Sequence, residues 1–251
     1  MTVLRSFIFN IGFFIGTFVL TIIFLPVLLW DRDILPRCGR VWAYLVRVWL
    51  GVTVGIRVEV RGEVPTGPCL IAAKHQSAWE TIELLHLLPD ACFVLKKELT
   101  WIPIFGWYIY RNRQIVIDRS AGIGALKHMV VATQIALEAG RQIVVFPQGT
   151  RVKPDAKRAY QSGIGSLYKH LSVTVIPVAL NSGLFWGRNK FLKYPGTIVI
   201  EFLSPMPENL EPRAFVKKLS ATIEEASSRL VAEGRQNTKV CSTKAKGVER
   251  N

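Results

Sequence analysis

The sequence predicts an α/β protein: a mixed, mostly parallel sheet of about seven strands flanked by helices, preceded by an N-terminal membrane-embedded helical segment. Three observations carry this. Beyond residue 56, short β-branched runs alternate with helical patterns, as expected for helices layered on a largely buried sheet. Before it, two apolar stretches flank a short polar turn containing Pro36. Half of the 251 residues are hydrophobic, enough for the core of one substantial domain.

No charged side chain occurs from Ser6 to Trp30, and the 19 residues Phe7–Leu25 would span about 28 Å as a helix, close to the hydrocarbon thickness of a bilayer. A secretory signal has a shorter apolar region followed by small residues at a cleavage site, whereas Pro26-Val-Leu-Leu-Trp30 follows here. A core helix would carry a polar stripe. The second stretch, Val41–Ile56, is 16 residues long and carries Arg47, which suits an interfacial or re-entrant helix. A single span and a hairpin embedded in one leaflet both fit. If the first helix spans, Arg32, Arg37, Arg40 and Arg47 outnumber Arg5 and the amino terminus, which places the remaining chain in the cytoplasm.

The expected strands are Ile56–Val60, Cys69–Ala73, Ala91–Leu95, Gln114–Asp118, Gln142–Phe146, Val173–Leu180 and Thr197–Phe202. Helices are expected at Trp79–Leu88, Gly122–Ala139, Tyr160–His170 and Pro212–Ala232. The domain reading is therefore membrane-binding helices at 1–56, an α/β domain at 57–234 and a basic, flexible tail at 235–251.

Thirty-two Lys and Arg against 18 Asp and Glu give a net charge of +14. Mean hydropathy is nevertheless +0.28, which excludes disorder for the bulk of the chain. So strong a charge points to an anionic partner: nucleic acid, an anionic membrane surface or a phosphorylated substrate. No recognisable nucleic-acid-binding motif is present, and the uncharged run would have no purpose in such a protein. Cys38, Cys69, Cys92 and Cys241 form no CxxC pair, and the histidines do not stand at metal-ligand spacing beside them. Reduced thiols in a cytosolic setting and no structural metal are expected.

The chemistry concentrates at two strand ends. A buried strand ends at Ala73 and a helix begins near Ala78, so His75 lies in the connecting loop at the mouth of the sheet. Residues five apart are about 140° apart on a regular helix. His75 and Glu80 therefore meet only if His75 precedes the helix and Glu80 sits in its first turn. Such a pair is a base and its orienting carboxylate. The same residues also read as a capping box, Ser77-Ala-Trp-Glu80. In Phe146-Pro-Gln-Gly-Thr-Arg151 a strand stops at Pro147, Gly149 permits a tight turn, Thr150 offers a hydroxyl, and Arg151 can grip phosphate bidentately. An ordinary turn with a solvated arginine fits equally. Lys96, Lys97 and Arg119 also place cations at strand ends. The aromatic segment Trp101–Tyr110 suits the lining of an apolar channel, a membrane contact or plain core packing.

His75 with an acid five positions on, Lys96-Lys-Glu98-Leu99, Ile115-Val-Ile117-Asp118-Arg119, Phe146–Arg151 and Val175-Ile-Pro177-Val178 follow one another as the motifs of the glycerolipid acyltransferases do. Over roughly residues 40–230 the chain resembles the bacterial 1-acylglycerol-3-phosphate acyltransferases. It departs in having Glu80 for the usual Asp, and Gln148 for the usual Glu, which removes a negative charge near the phosphate site. The glycine that commonly opens the 115–119 block is also replaced, near Arg113. The resemblance implies that His75 acts as general base on a lysophosphatidic acid hydroxyl, and that Glu80 orients it. Lys96, Arg119 and Arg151 would hold the phosphate while Gly149 and Thr150 shape the loop. It implies no metal or cofactor beyond acyl-ACP or acyl-CoA as co-substrate. An anionic phospholipid membrane is the expected partner, and the bacterial inner membrane, with the catalytic domain facing the cytoplasm, the expected location. Glycerol 3-phosphate and a lyso-ornithine lipid are alternative acceptors, and a basic membrane-binding protein without activity is the non-enzymatic alternative.

Overall fold

The computed structural model describes residues 1–30 and 32–248, excepting the side chains of Arg119 and of residues 238–248. Two helices, α1 (Thr2–Ile23) and α2 (Leu35–Val54), precede the alternation β1 (Ile56–Arg61), β2 (Cys69–Ala73), α3 (Trp79–Leu87), β3 (Ala91–Lys96), α4 (Phe105–Arg111), β4 (Ile115–Ile117), α5 (Gly122–Glu138) and β5 (Gln142–Val145). The chain continues through α6 (Gly163–His170), β6 (Val175–Leu180), β7 (Gly196–Phe202) and α7 (Pro212–Val248).

Among the described residues the sheet has seven strands in the order β1-β7-β6-β2-β5-β3-β4. Only β6 and β7 pair antiparallel, so the expected mixed, mostly parallel sheet is found. β2 is central, and all five of its residues are buried. Ile71 and Ala73 pack toward α2 and α3, whereas Leu70 and Ala72 pack toward α5, α6 and α7. Burial on both faces explains why this strand reads as an unbroken apolar run.

Several boundaries differ from expectation, each for a local reason. α2 takes Pro36 into its first turn, where a missing N–H costs nothing, and ends at Gly55 with φ 81°. α6 starts at Gly163 because Tyr160 is held in the preceding loop by its hydroxyl. α4 was not anticipated at all: the chain reaches it through Ile104 at φ 64°, and Gly106 lies where a Cβ would stand 2.1 Å from the Thr100 carbonyl oxygen. α7 buries Phe215, Leu219, Ile223 and Leu230 and continues helical through Val248. Of the expected tail at 235–251, residues 249–251 lie outside the described residues.

α1 lies along the domain. Arg5 is exposed, but other polar residues of α1 face inward: Ser6 Oγ accepts from the Lys193 amide at 2.9 Å and Asn10 Oδ1 from Lys193 Nζ at 2.6 Å. Thr17 Oγ1 accepts from Trp42 Nε1 at 3.1 Å, and the Thr21 carbonyl from Tyr108 Oη at 2.9 Å. Burial among Phe9, Trp186 and Phe191 lowers the Lys193 ammonium to about 8. The opposite face exposes Phe7, Ile11, Phe14, Ile15 and Phe18. Large apolar side chains are also exposed at Val48 and Val52 of α2, at Leu29 and Trp30 between the helices, and at Trp101, Trp107 and Tyr110 around α4.

Candidate active site

The parallel strands β2, β3, β4 and β5 present their C-terminal ends to one rim, where open α/β sheets bind ligands. His75 follows β2, in the loop that the sequence predicts, and its Nδ1 stands 2.8 Å from Glu80 Oε1 in the first turn of α3. The same oxygen accepts the main-chain N–H groups of Gln76 at 2.6 Å and Ser77 at 2.7 Å. Oε2 accepts Ser182 Oγ at 2.8 Å, so the fully buried carboxylate is satisfied on both oxygens. The two readings of Glu80 therefore coincide. One oxygen ties down the start of its own helix and fixes the imidazole with Nδ1 toward the carboxylate.

The ring stacks on Phe146 with centroids 3.9 Å apart and 16° between planes. The His75 N–H donates to Gln148 Oε1 at 3.0 Å, and its carbonyl accepts from Val152 N–H at 2.7 Å. Ring and main chain are thus held, and Nε2 is left for the cavity that His75 lines.

The loop after β5 turns through Gly149 at φ 69°, with a 2.9 Å bond from its N–H to the Phe146 carbonyl. Gln148 does not face the cavity. It is fully buried, accepts from His75, and donates through Nε2 to Glu224 Oε1 at 3.2 Å. Its neutral amide thus bears on the support behind His75, which corrects the expectation of a lost charge near the phosphate site. Glu224 also binds Lys74 Nζ at 2.5 Å and Tyr160 Oη at 3.0 Å. Burial, followed by the Glu224 charge, pushes the Tyr160 hydroxyl far above its ordinary range.

A cavity of about 950 Å³ gathers His75, Lys96, Gly149, Thr150 and Arg151. Lys97, by contrast, pairs with Asp118 at 3.0 Å, away from this cavity. Hydrogen bonds from the Ser120 hydroxyl and then from Lys97 hold Asp118 down to about 2. Arg119 opens the 3-10 turn after β4, and its side chain lies outside the described residues. Arg188 also lines the cavity and was not anticipated, since no motif spacing surrounds it. The replaced glycine near Arg113 changes little in conformation: Arg113 itself takes φ 48°, at a cost of roughly 1–2 kcal/mol. Its carbonyl is held by Arg141 Nη1 at 2.8 Å.

Away from the cations the cavity is apolar. Val94, Ile117, Leu126, Met129 and Ile164 line one part, and Phe13 of α1, Trp42 of α2 and Phe105 of α4 line another. It therefore combines an oriented imidazole, several cations and an apolar arm lined in part by the N-terminal helices.

The sequence matches the acyltransferase family over residues 55–181. A 1-acyl-sn-glycerol-3-phosphate acyltransferase of Pseudomonas aeruginosa is 37% identical over 190 residues, 74% of each chain. A lyso-ornithine lipid O-acyltransferase of the same organism is 28% identical over 202 residues, 72% of this chain and 76% of that one. The crystal structure of the 1-acyl-sn-glycerophosphate acyltransferase from Thermotoga maritima superposes with a TM-score of 0.71 at 22% identity, covering 93% of this chain and 97% of that one; the fold is the same.

Proposed function

The chain belongs to the acyltransferase family, and from that membership we propose that it transfers a fatty acyl group from an acyl thioester to the sn-2 hydroxyl of lysophosphatidic acid, giving phosphatidic acid. The observation that carries this reading is the convergence of the His75–Glu80 pair, the cations and the apolar arm in one cavity. His75 Nε2 removes the hydroxyl proton as the oxygen attacks the thioester carbonyl. The carbon–sulfur bond then breaks, and the proton leaves with the thiol of acyl carrier protein or coenzyme A. Glu80 fixes the ring and stabilises its positive charge, and general-base catalysis of this kind is worth roughly 10²–10⁴-fold.

Lys96, Arg151 and Arg188 bind the phosphate, while Gly149 and Thr150 shape the loop; a part for Arg119 rests on the sequence motif alone. Charge-assisted bonds from arginine suit a phosphate. A lyso-ornithine lipid is the second reading, favoured by the likeness to the lyso-ornithine lipid enzyme. A phosphate offers this cluster of cations more charge and more acceptor oxygens than the single carboxylate of an ornithine headgroup, so a phosphorylated acceptor is preferred.

α1 and α2 bed the protein in one leaflet. α1 is bound to the domain from Ser6 to Thr21, which leaves no free length to cross the bilayer alone. Large apolar side chains are exposed on α1, on α2 and around α4, and Phe13, Trp42 and Phe105 from these three helices line the cavity. The location we propose is the cytoplasmic face of a bacterial inner membrane, a reading supported by the need for acyl thioesters on that side. The test supplies the purified chain with a panel of lyso-acceptors and both thioester donors and follows product. Phosphatidic acid as the dominant product supports the reading; transfer confined to lyso-ornithine lipid supports the second.

A further inference from the structure

Glu224 lies 150 residues from Lys74 in sequence, yet this half-buried carboxylate closes a polar cluster directly behind His75. Lys74 is fully buried and meets Glu224 Oε2 at 2.5 Å. Glu224 Oε1 takes Tyr160 Oη at 3.0 Å and Gln148 Nε2 at 3.2 Å, and Gln148 Oε1 takes the His75 N–H at 3.0 Å. One amide therefore links the carboxylate on α7 to the main chain of His75. The chemistry at each position is constrained. A side chain at 148 must donate toward Glu224 and accept from His75, which an amide does and a carboxylate cannot. At 224 two carboxylate oxygens satisfy three donors, one of them charged; a glutamine offers a single oxygen and adds two donors of its own.

We propose that Glu224 is a positioning residue for acyl transfer: acting through Gln148, it sets the main chain of His75 so that Nε2 meets the acceptor hydroxyl. This rests on the reading of His75 as the base. Glu80 fixes the ring of His75, and Glu224 fixes the segment that carries it. The C-terminal helix is thereby part of the catalytic apparatus without touching substrate.

The experiment measures kcat, acceptor KM and melting temperature for the full chain and for Glu224→Gln, Gln148→Glu, the double swap and His75→Ala. Misplacing a reacting group by about 1 Å can cost on the order of 10²-fold. Each single variant is therefore expected to lose roughly 10–100-fold in kcat at little-changed KM. The swap puts one carboxylate and one amide back beside Lys74: Glu at 148 accepts from His75 and from Gln at 224, whose oxygen takes Lys74 and Tyr160. It is expected to recover most of the lost kcat, which a merely additive pair of defects would not do. If Gln148→Glu does not fold, Glu224→Gln and the swap carry the comparison. A folded Glu224→Gln with wild-type kcat, or a swap that compounds the single losses, overturns the proposal while His75→Ala at background leaves the base reading intact. Wild-type turnover by His75→Ala overturns both.

Discussion

Arg188 Nη1 donates to the main-chain carbonyl of Arg151 at 2.9 Å, joining two residues 37 positions apart that line the same cavity. The bond ties the position of the loop after β5 to the segment after β6. If these residues bind the acceptor phosphate, Arg188→Ala removes one guanidinium and loosens the other. Charge-assisted bonds are worth about 1.5–3 kcal/mol each, so acceptor KM is expected to rise on the order of tenfold to a hundredfold for Arg151→Ala, Lys96→Ala and Arg188→Ala. Steady-state kinetics against lysophosphatidic acid check this, and a fall in kcat at unchanged KM would assign these residues another role.

Ser182 supports Glu80 on the oxygen that His75 does not use. Ser182→Ala leaves that oxygen one donor short, at a cost of about 1–3 kcal/mol in stability, with only a modest loss of kcat because the bond to His75 remains. Glu80→Gln is expected to be much worse, on the order of 10²–10⁴-fold in kcat. A glutamine can keep its oxygen toward His75, Gln76 and Ser77 and donate to the Ser182 hydroxyl, so what the substitution removes is the negative charge that stabilises the imidazolium. Thermal melts beside single-turnover rates separate the two effects; equal losses in both variants would mean that Glu80 acts only as a helix cap.

Arg47 binds Glu83 at 2.6 Å between α2 and α3, and burial raises the Glu83 carboxyl to about 7 despite that partner. In the window from about 4.5 to 7 the folded protein binds more protons at this site than the unfolded chain. Its contribution to stability is therefore full below that window and lost as pH rises through 7. The melting temperature of the wild type is expected to fall between pH 5 and pH 8, and Glu83→Gln to flatten that fall. A variant whose pH dependence matches the wild type would exclude Glu83 as the titrating group.

Trp101 and Trp107 are mostly exposed, which excludes core packing for these two side chains, while Phe105 lines the cavity and Ile109 is buried. Contact with lipid is expected to shift tryptophan emission to shorter wavelength on addition of anionic liposomes, with a smaller shift in Trp101→Gln/Trp107→Gln. Each large apolar side chain contributes about 1.5–3 kcal/mol when fully buried, so the double variant should also bind liposomes measurably more weakly. Unchanged emission and binding would separate α4 from the membrane-facing surface.

Local patterns made much of this legible. The strands stand out because parallel, doubly covered strands are unbroken apolar runs, and His75–Glu80 stands out because a strand-to-helix boundary brings a five-residue spacing together. What escaped reading depends on distant packing. Glu224 looks like one more polar residue on a long amphipathic helix, and only its meeting with Lys74 from β2 shows otherwise. Arg188 sits in an irregular segment with no periodicity. α4 was obscured because its entry needs Ile104 at positive φ, which no propensity anticipates. The contacts of Gln148 with His75 and Glu224 escape reading because a sequence does not say which way a turn faces.

The central claim is that His75 is the base of an acyl transfer to lysophosphatidic acid. The most direct test is phosphatidic acid formation by the purified full-length chain, with acyl-ACP and with acyl-CoA, compared with a folded His75→Ala variant. The account predicts robust product from the wild type and near-background product from the variant, whose melting temperature stays close to that of the wild type. Wild-type-like turnover by folded His75→Ala, or no acyl transfer by the wild type with either donor, would contradict it.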